Sequence, residues 1–428
     1  MREIGIGLLG CGVVGSGTVR VLTENADEIA QRVGAKLVVR KVAVRDTDEQ
    51  RAVALEPGVL TGSADDVLND PSIDIVAELI GGVEPAHGYI LKAIENGKNI
   101  VTANKELMAK QGHDLMLAAA SAKKDFFLEG SVAGGIPILA AMKESLAGNR
   151  TRELMGIVNG TTNYILTRMT EEGAEFASTL KAAQELGYAE ADPTSDVDGF
   201  DAQYKLAILA SIAFNTTLGA DDIAAQGIRQ IGARDIAVAK ELGYRIKLVA
   251  KARDEGEGRI QAHVHPALLP QRHPLASVND VFNAVLVRGD AVGDVMFYGR
   301  GAGSMPTGSA VVGDLIACAR NILAGSTGRV GCTCYSAREV VPISDVESKY
   351  YIRLNALDKP KVLASIANVF GDFDVSIESV VQKALPNDEA EIVWVTHVAR
   401  EANIRGALDV ISRLPVVKSV NNWIRVEE

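Results

Sequence analysis

An aspartate and two lysines are the residues of this chain whose types and spacing could carry chemistry. Asp201 and Lys205 lie four residues apart and share one face if the segment is helical. The apolar run Leu206–Ile212 follows, and a lysine on a buried helix needs a partner or a chemical task. Lys105 directly follows Thr-Ala-Asn at the end of a short predicted strand. A lysine oriented by a carboxylate and influenced by a second cation can move a proton at a reacting oxygen.

A purely structural interpretation of these residues is open beside acid–base chemistry. Asp198 is predicted to be the N-cap of the helix that carries Asp201 and Lys205, which could form a solvated ion pair on it. Lys105 could equally be a surface lysine that begins a helix. The spacing alone does not decide between these readings and catalysis.

The N-terminus supplies the element that would position such groups against a nucleotide. The apolar strand at 4–9 leads into Gly10-x-Gly12-x-x-Gly15, and a helix is predicted over 18–31. In such a unit the first glycine makes a tight turn, the second admits a pyrophosphate, and the third allows close helix–strand packing. The motif predicts a dinucleotide site. At the end of the second predicted strand, Arg45 favours NADP and Asp46 favours NAD, and NADP is preferred.

The rest of the chain predicts an α/β protein with three parts. Strands and helices alternate to about residue 124, which indicates a Rossmann-type doubly wound parallel sheet. A mixed α+β domain is inserted next, and a helix over 307–323 returns to the first part. Residues 336–348 are predicted to form a linker. Beyond it, a βαββαβ order indicates a ferredoxin-like plait.

Composition excludes several classes of function. The 428 residues carry a net charge of −11, which argues against nucleic-acid or anionic-membrane binding. No apolar run approaches the ~18 residues of a membrane span, and a cytoplasmic protein is expected. Cys332-Thr333-Cys334 lacks a second Cys/His pair nearby, so free thiols are predicted. His263 and His265 share a strand face without a third ligand and are predicted to be structural.

Four motifs in this order resemble homoserine dehydrogenase over about residues 1–330. They are the glycine loop, Thr102-Ala-Asn-Lys105, Asn159-Gly-Thr-Thr-Asn-Tyr164 and Asp196-Val-Asp-Gly-Phe-Asp201-Ala-Gln-Tyr-Lys205. The segment from Leu354 to Gln382 is similar to an ACT domain, the regulatory plait that binds amino acids. The resemblance, which includes no preceding kinase domain, is to the monofunctional type. It implies the NAD(P)-dependent interconversion of L-homoserine and L-aspartate 4-semialdehyde.

The resemblance also implies residue roles. Lys205 would be the acid–base group, Lys105 would lie between cofactor and substrate, and Asp201 would assist them. The implied substrate residues are Glu190, Asp201, Gly160, Thr161, Thr162 and Asp196, with Glu190 at the substrate ammonium. The implied cofactor residues are Gly10, Gly12, Val13, Val14, Gly15, Arg45, Lys105, Gly187 and Gly303. A sodium ion would be held by Glu129 and the backbone of Val132, Gly134 and Ile136, where a plain loop is the alternative.

The implied organisation is a dinucleotide-binding domain over 1–130, completed by a helix at about 305–330. A catalytic and dimerisation domain follows over 131–304, and an ACT domain over 349–428. Threonine is the implied effector, with a purely structural or dimerising plait as the alternative, because Lys361 stands where many ACT domains have glycine. A homodimer or homotetramer is expected. A non-catalytic amino-acid sensor is the alternative function, and a phosphorylating semialdehyde dehydrogenase is disfavoured because no cysteine has a convincing base nearby.

Overall fold

A computed structural model describes residues 1–427, which form two compact units. Unit 1 comprises Met1–Leu154, Tyr204–Ile223 and Phe282–Arg338. Unit 2 comprises Met155–Gln203, Ala224–Val281 and residues 339–427. Among residues 1–427, no helix has the length and apolar character needed to cross a membrane.

The first part of the chain alternates strands with helices. The elements are β1 (Arg2–Leu9), α1 (Val13–Glu24), α2 (Ala26–Val33), β2 (Ala35–Ala43), β3 (Leu60–Thr61), α3 (Ala64–Leu68), β4 (Ile75–Glu78), α4 (Ala86–Glu95), β5 (Asn99–Thr102), α5 (Lys105–Ser121), β6 (Phe126–Phe127), α6 (Ile138–Ala140) and β7 (Thr151–Ile157).

In the middle of the chain a group of helices precedes a group of strands, and the plait forms the C-terminal part. The elements are α7 (Gly160–Glu172), α8 (Phe176–Glu185), α9 (Thr194–Val197), α10 (Phe200–Ala213), β8 (Ala224–Ala225), α11 (Ala233–Glu241), β9 (Tyr244–Gly256), β10 (Arg259–Pro270), β11 (Phe282–Gly289), β12 (Gly293–Arg300), α12 (Ser304–Ala324), β13 (Glu339–Val340), β14 (Glu347–Leu357), α13 (Val362–Asp372), β15 (Ile377–Leu385), β16 (Glu389–Thr396), β17 (Ala399–Arg400), α14 (Glu401–Ile411) and β18 (Val417–Val426).

Unit 1 contains a six-stranded sheet in the order β3-β2-β1-β4-β5-β6, and all its pairings are parallel. This order reverses between β1 and β4, which is where doubly wound sheets bind dinucleotides. Every residue of β4 and β5 is buried, as expected of strands covered by helices on both faces. The return helix α12 packs on α1 so closely that a Cβ at Gly308 would lie 2.6 Å from the Gly17 carbonyl carbon. The predicted Rossmann-type sheet is confirmed.

Local elements differ from the prediction at several places. The first helix begins at Val13, not Thr18, and is followed by a separate helix, α2, because the chain turns at Asn25. The β12 strand was not predicted; it pairs with β11 as an antiparallel hairpin. Its alternating exposed and half-buried residues gave only a weak signal against their glycine-rich surroundings.

The predicted N-cap at Asp198 was also wrong, because α10 begins only at Phe200. The Asp198 carboxylate instead accepts a hydrogen bond from Arg229 Nε at 2.6 Å. This partner is 31 residues away in sequence, so the local pattern could not have revealed it.

Unit 2 contains a mixed sheet in which β9, β10, β18, β14, β16 and β15 are successive neighbours. The last four strands, with α13 and α14, form the predicted plait, whose core includes Ile352, Phe370 and Trp394. The plait continues the β9–β10 hairpin because β18 pairs with β10 in parallel. The predicted linker over 336–348 is not a plain connection, since β13 also pairs with β10.

Buried polar contacts fix the plait to the preceding part of unit 2. Asp235, on α11, is almost fully buried and accepts hydrogen bonds from Arg353 Nε at 2.7 Å and Asn422 Nδ2 at 3.0 Å. Arg234 pairs with Glu391 on β16. Removing one partner of a buried pair leaves an uncompensated charge, so these contacts tie the stability of the two parts together.

A buried histidine pair extends this polar interface. His263 Nδ1 and His265 Nδ1 are 2.8 Å apart on β10, and both side chains are almost wholly buried. His265 Nε2 lies 3.3 Å from Glu427, which also pairs with Lys251. Burial, reinforced by the positive charge of Arg425, lowers the pKa of His265 to about 4. The pKa of His263 is lowered by burial as well, so both histidines are neutral near pH 7. Their contact with each other inside the protein agrees with the structural role predicted for them.

Acidification from pH 7 to 5 is expected to destabilise this interface. The unfolded His265 binds a proton below its ordinary pKa of about 6.5, while the folded pKa is about 4. The unfolded state therefore binds more protons in that window, and the free energy of unfolding falls by about 2 kcal/mol between pH 7 and pH 5. The lowered pKa of Glu427 acts in the same direction at still lower pH, where its carboxylate must be protonated.

Urea midpoints measured at pH 7 and pH 5 test this expectation. His265→Gln should flatten the pH dependence, whereas His397→Gln, on a half-exposed side chain, should preserve it. An unchanged slope in the His265 variant would contradict the assignment.

Candidate active site

The glycine loop has the geometry that a dinucleotide requires. Gly10 has a φ of +98°, and its N–H donates to the Ala43 carbonyl at 2.9 Å. A Cβ at Gly15 would lie 2.4 Å from the Gly10 carbonyl oxygen, so this position holds α1 against the loop. A Cβ at Gly12 would meet no described atom within 4 Å. The open space before α1 is where the backbone can approach a pyrophosphate.

Two valine substitutions separate cofactor binding from folding. Gly12→Val should leave the melting temperature near that of the parent and weaken NADP⁺ binding at least about tenfold, because the side chain fills the phosphate approach. Gly15→Val should instead lower the melting temperature, because its Cβ collides with backbone. Calorimetry of NADP⁺ binding and thermal unfolding distinguish them, and undiminished binding by the Gly12 variant would refute the assignment.

The other predicted residues at the glycine loop lie where α1 and α12 begin. Val13 is the first residue of α1 and is 68% exposed, and Val14 follows it half-buried. Gly303 directly precedes α12 with a φ of +119°, a conformation that side chains rarely adopt. Helix α12 packs on α1, so Gly303 belongs to the same part of unit 1.

Arg45 and Asp46, the two charged residues that follow β2, differ in their hydrogen bonding. Arg45 and Asp46 are both exposed just beyond the strand. Asp46 Oδ1 accepts the Asp48 N–H at 2.9 Å, and its carbonyl accepts a hydrogen bond from Arg51. The Asp46 carboxylate is therefore held by its own turn, while the arginine is presented to solvent.

Lys105 is placed by a hydrogen-bonded corner at the ends of β4 and β5. The fully buried Glu78 accepts the Thr102 hydroxyl at 2.7 Å, and Thr102 Oγ1 in turn accepts the Asn104 N–H at 3.0 Å. Asn104 caps α5 by accepting the Leu107 N–H at 3.1 Å. Lys105 is therefore the first residue of α5, at the edge of the sheet where doubly wound proteins bind ligands.

Lys205 is a buried cation on a largely buried helix. Its residue is only 7% exposed, and positions 206–210 of α10 are all buried. Within unit 1, Lys110 Nζ of α5 lies 5.4 Å from the centroid of the Tyr204 ring, next to Lys205. Lys105 precedes Lys110 by about 7.5 Å along the helix axis. The two predicted lysines thus lie on helices that contact each other.

The predicted carboxylates meet at one amide in unit 2. Asn159 Nδ2 donates to Asp196 Oδ1 at 2.7 Å and to Asp201 Oδ2 at 2.8 Å. Asn159 Oδ1 accepts the Thr162 N–H at 2.8 Å and caps α7. The Asn159 side chain therefore fixes two acids and the start of α7. Of the two acids, Asp201 is only 2% exposed. The sequence drew attention to this turn, but not to the amide that joins both acids.

The remaining predicted substrate residues surround this cluster to different extents. Thr162 is fully buried, and its hydroxyl donates to Asn159 Oδ1 at 2.8 Å. Gly160 is half-buried and begins α7. The Thr161 hydroxyl donates to the Tyr188 carbonyl at 2.7 Å, which fixes the exposed segment that also contains Gly187 and Glu190. Glu190 is therefore accessible, while the Asn159 cluster is largely buried.

Glu129 is a buried carboxylate with two backbone donors. It accepts the N–H groups of Leu139 and Ala140 at 2.8 and 2.7 Å, and its own N–H donates to Asp314 at 2.8 Å. Burial raises the pKa of Glu129, and burial beside Glu129 raises the pKa of Asp314 well above its usual range. The facing acid on α12 was not apparent from the sequence, because 185 residues separate the pair.

The strand order and the glycine loop define a dinucleotide-binding protein of the Rossmann type. Residues 10–129 match the protein-family model described as the NAD-binding domain of homoserine dehydrogenase, and residues 137–316 match that of homoserine dehydrogenase itself. Residues 350–416 match the ACT domain model. The chain belongs to the homoserine dehydrogenase family.

Similar proteins support this membership over the whole chain. The homoserine dehydrogenase of Bacillus subtilis is 44% identical, with coverage of 100% of this chain and 99% of that protein. A homoserine dehydrogenase structure from Thiobacillus denitrificans has a TM-score of 0.94 at 45% identity. The match covers 100% of this chain and 99% of that one. A hyperthermophilic archaeal homoserine dehydrogenase in complex with NADPH has a TM-score of 0.62 at 25% identity. That match covers 77% of this chain and 100% of the archaeal one. These relatives favour a catalytic enzyme over the non-catalytic sensor.

Proposed function

We propose that Lys205 is the acid–base group in the interconversion of L-homoserine and L-aspartate 4-semialdehyde. The burial of this lysine on α10, one turn after Asp201, is the observation that carries the proposal. Burial disfavours the charged form of a lysine, which suits a buried lysine to exchange a proton with a reacting oxygen. Lys105, at the start of the contacting helix, supplies the second positive charge, which favours the neutral amine.

The reaction balances with these residues. In homoserine oxidation, the neutral Lys205 amine takes the hydroxyl proton while a hydride leaves the same carbon, and the C–O single bond becomes the aldehyde. The glycine loop would hold NADP⁺, which would supply the hydride acceptor. In the reverse direction the Lys205 ammonium returns the proton to the carbonyl oxygen as the hydride arrives.

Substrate recognition is assigned to the residues around Asn159. Asp201 and Asp196 supply negative charge near the reacting end of the substrate, and Glu190 binds its ammonium. The backbone N–H groups of Gly160 and Thr161 lie at the start of α7, where the helix dipole favours the substrate carboxylate. Thr162 supports this turn, because its N–H and its hydroxyl both donate to Asn159 Oδ1. The hydrogen bonds of Asn159 to both aspartates support this assignment, because they preorganise the acids.

NADP is the preferred cofactor in this proposal, with Gly10, Gly12, Val13, Val14, Gly15, Gly187 and Gly303 along its site. The engaged Asp46 and the exposed Arg45 support it, as does the NADPH bound by the archaeal relative. Arg45→Ala should raise the KM for NADP⁺ by about 10–100-fold, the loss of a hydrogen bond to a charged phosphate. The KM for NAD⁺ should hardly change.

Arg40→Ala is the matched control for this substitution. It removes an arginine of β2 whose side chain pairs with Glu3 on the surface. Steady-state kinetics with both cofactors decide the matter. Unchanged NADP⁺ kinetics in the Arg45 variant would show that its guanidinium does not bind the 2′-phosphate.

We also assign a monovalent cation, sodium, to the turn at Glu129. Ala133 and Gly134 have successive φ values of +54° and +42°, which change the direction of neighbouring carbonyls. With the buried Glu129 carboxylate, the carbonyls of Val132, Gly134 and Ile136 form an oxygen set suited to a hard cation. Replacing sodium by a bulky organic cation should lower the melting temperature if this assignment is correct.

Threonine is the proposed effector of the ACT domain. Lys361 has a φ of +73° at the start of α13, so it adopts the backbone conformation that favours the glycine found there in many ACT domains. A homodimer or homotetramer, a cytoplasmic location and domain limits of 1–130, 131–304 and 349–428 complete the proposal. Inhibition by threonine, measured with the full chain, tests the effector assignment.

A further inference from the structure

A cluster of metal-ligating side chains lies outside the proposed active-site residues. One ligand atom each of His113, Cys332 and Cys334 lies within 4.8 Å of the other two. Cys332 Sγ is 4.0 Å from His113 Nδ1. All three residues are half-buried and belong to unit 1. The histidine lies in the middle of α5, and the cysteines lie on the segment that follows α12.

The dimensions suit a tetrahedral metal. Zn²⁺ bonds of about 2.3 Å to sulfur and 2.0–2.1 Å to nitrogen place sulfur and nitrogen ligands about 3.6 Å apart, close to the observed separation. Two thiolates and an imidazole are the ligands that zinc prefers over the hard cations. They also neutralise its charge, which favours binding in a half-buried site.

The surroundings support ligation. The Cys334 N–H donates to Cys332 Sγ at 3.4 Å, the kind of hydrogen bond that orients a thiolate ligand. Lys143 Nζ donates to the Gly331 carbonyl at 3.4 Å, which holds the segment just before the first cysteine. The cluster borders a cavity of about 80 Å³, lined also by Met108, Thr217 and Lys143. This is room for a water molecule as a fourth ligand, since a water occupies about 30 Å³.

We propose that His113, Cys332 and Cys334 bind one Zn²⁺ ion, with water as the fourth ligand. The ion fastens the Cys332–Cys334 segment to α5, the helix that begins at Lys105. This is a structural site, and it does not depend on the roles proposed for the catalytic residues. The structure has Cys332 and Cys334 as free thiols, as the sequence predicted. The nearby histidine was not apparent from the sequence, because 219 residues separate His113 from Cys332.

Titration of the reduced, metal-stripped full chain with Co²⁺ and then Zn²⁺ tests the proposal. One equivalent of Co²⁺ should produce the thiolate-to-cobalt charge-transfer band and the strong visible absorption of a tetrahedral site, and Zn²⁺ should displace it. Zn²⁺ should also raise the melting temperature and protect two thiols from a thiol reagent. Cys332→Ser, Cys334→Ser and His113→Asn should each weaken binding at least about tenfold.

His397→Asn is the control, because it removes a half-exposed histidine of the plait. Its titration should match that of the parent. Absence of tetrahedral cobalt absorption in the parent, or its persistence in the Cys332/Cys334 double serine variant, would overturn the proposal. Thiol protection in the folded parent keeps the test decisive even if one variant fails to fold.

Discussion

Replacing Lys205 with alanine is expected to lower the turnover number for homoserine oxidation by about 10²–10⁴-fold, the usual contribution of a general acid–base group. NADP⁺ binding should be retained, because the glycine loop is formed by separate residues of β1 and α1. The parent rate should rise toward alkaline pH, since oxidation needs a neutral amine and the ordinary lysine pKa is about 10.4. In the variant this alkaline rise should disappear, which a merely structural effect would not produce.

Lys92→Ala is the matched control for this experiment. It removes a lysine of α4 whose Nζ pairs with Asp65 on the surface, and the turnover number should stay near that of the parent. Steady-state rates over a pH series, with circular dichroism of each variant, provide the measurement. A folded Lys205 variant that keeps near-parental turnover and the alkaline rise would remove this residue from the mechanism.

Replacing Asn159 with alanine is expected to lower kcat/KM for homoserine by about 10–100-fold. The substitution removes the donor that the Asp196 and Asp201 carboxylates share, and a hydrogen bond to a charged group is worth about 1.5–3 kcal/mol. It also removes the cap of α7, worth about 1 kcal/mol of the free energy of unfolding.

Asn159→Ser separates the two effects. Serine caps helices as well as asparagine does, but it lacks the two amide protons that reach both acids. The serine variant should therefore regain stability in urea unfolding while its kcat/KM stays low. Recovery of both quantities would show that Asn159 acts only as a helix cap, and the preorganised acid pair would be discarded.

The sequence predicted the fold well where local pattern and packing agree. The strand–helix alternation to about residue 124 and the βαββαβ order at the end of the chain agree with the observed elements, which include β5 (Asn99–Thr102) and β18 (Val417–Val426). The glycine loop was predictable because each glycine has its own local role: a left-handed turn at Gly10, open space at Gly12 and close packing at Gly15. Where the pattern was ambiguous, as for the exposed hairpin strand β12, the prediction failed.

Long-range pairs could not be derived from the sequence. Asp314 meets Glu129, and His113 meets Cys332, only because folding brings α12 and the segment after it to elements far upstream. The wrong cap at Asp198 has the same origin, since Arg229 engages its carboxylate from a distant segment. The residue types were visible in each case, but their partners are set by tertiary packing.

The near-ultraviolet absorbance of reduced nicotinamide during incubation with L-homoserine tests whether Lys205 is the acid–base group of homoserine oxidation. The parent chain and the Lys205→Ala variant are compared with NADP⁺ at alkaline pH, both at saturating cofactor. We expect steady reduction by the parent and a rate lower by at least about 10²-fold in a folded variant that still binds NADP⁺. Equal rates in the two proteins would contradict the assignment of Lys205, and no reduction by the folded parent would contradict the proposed reaction itself.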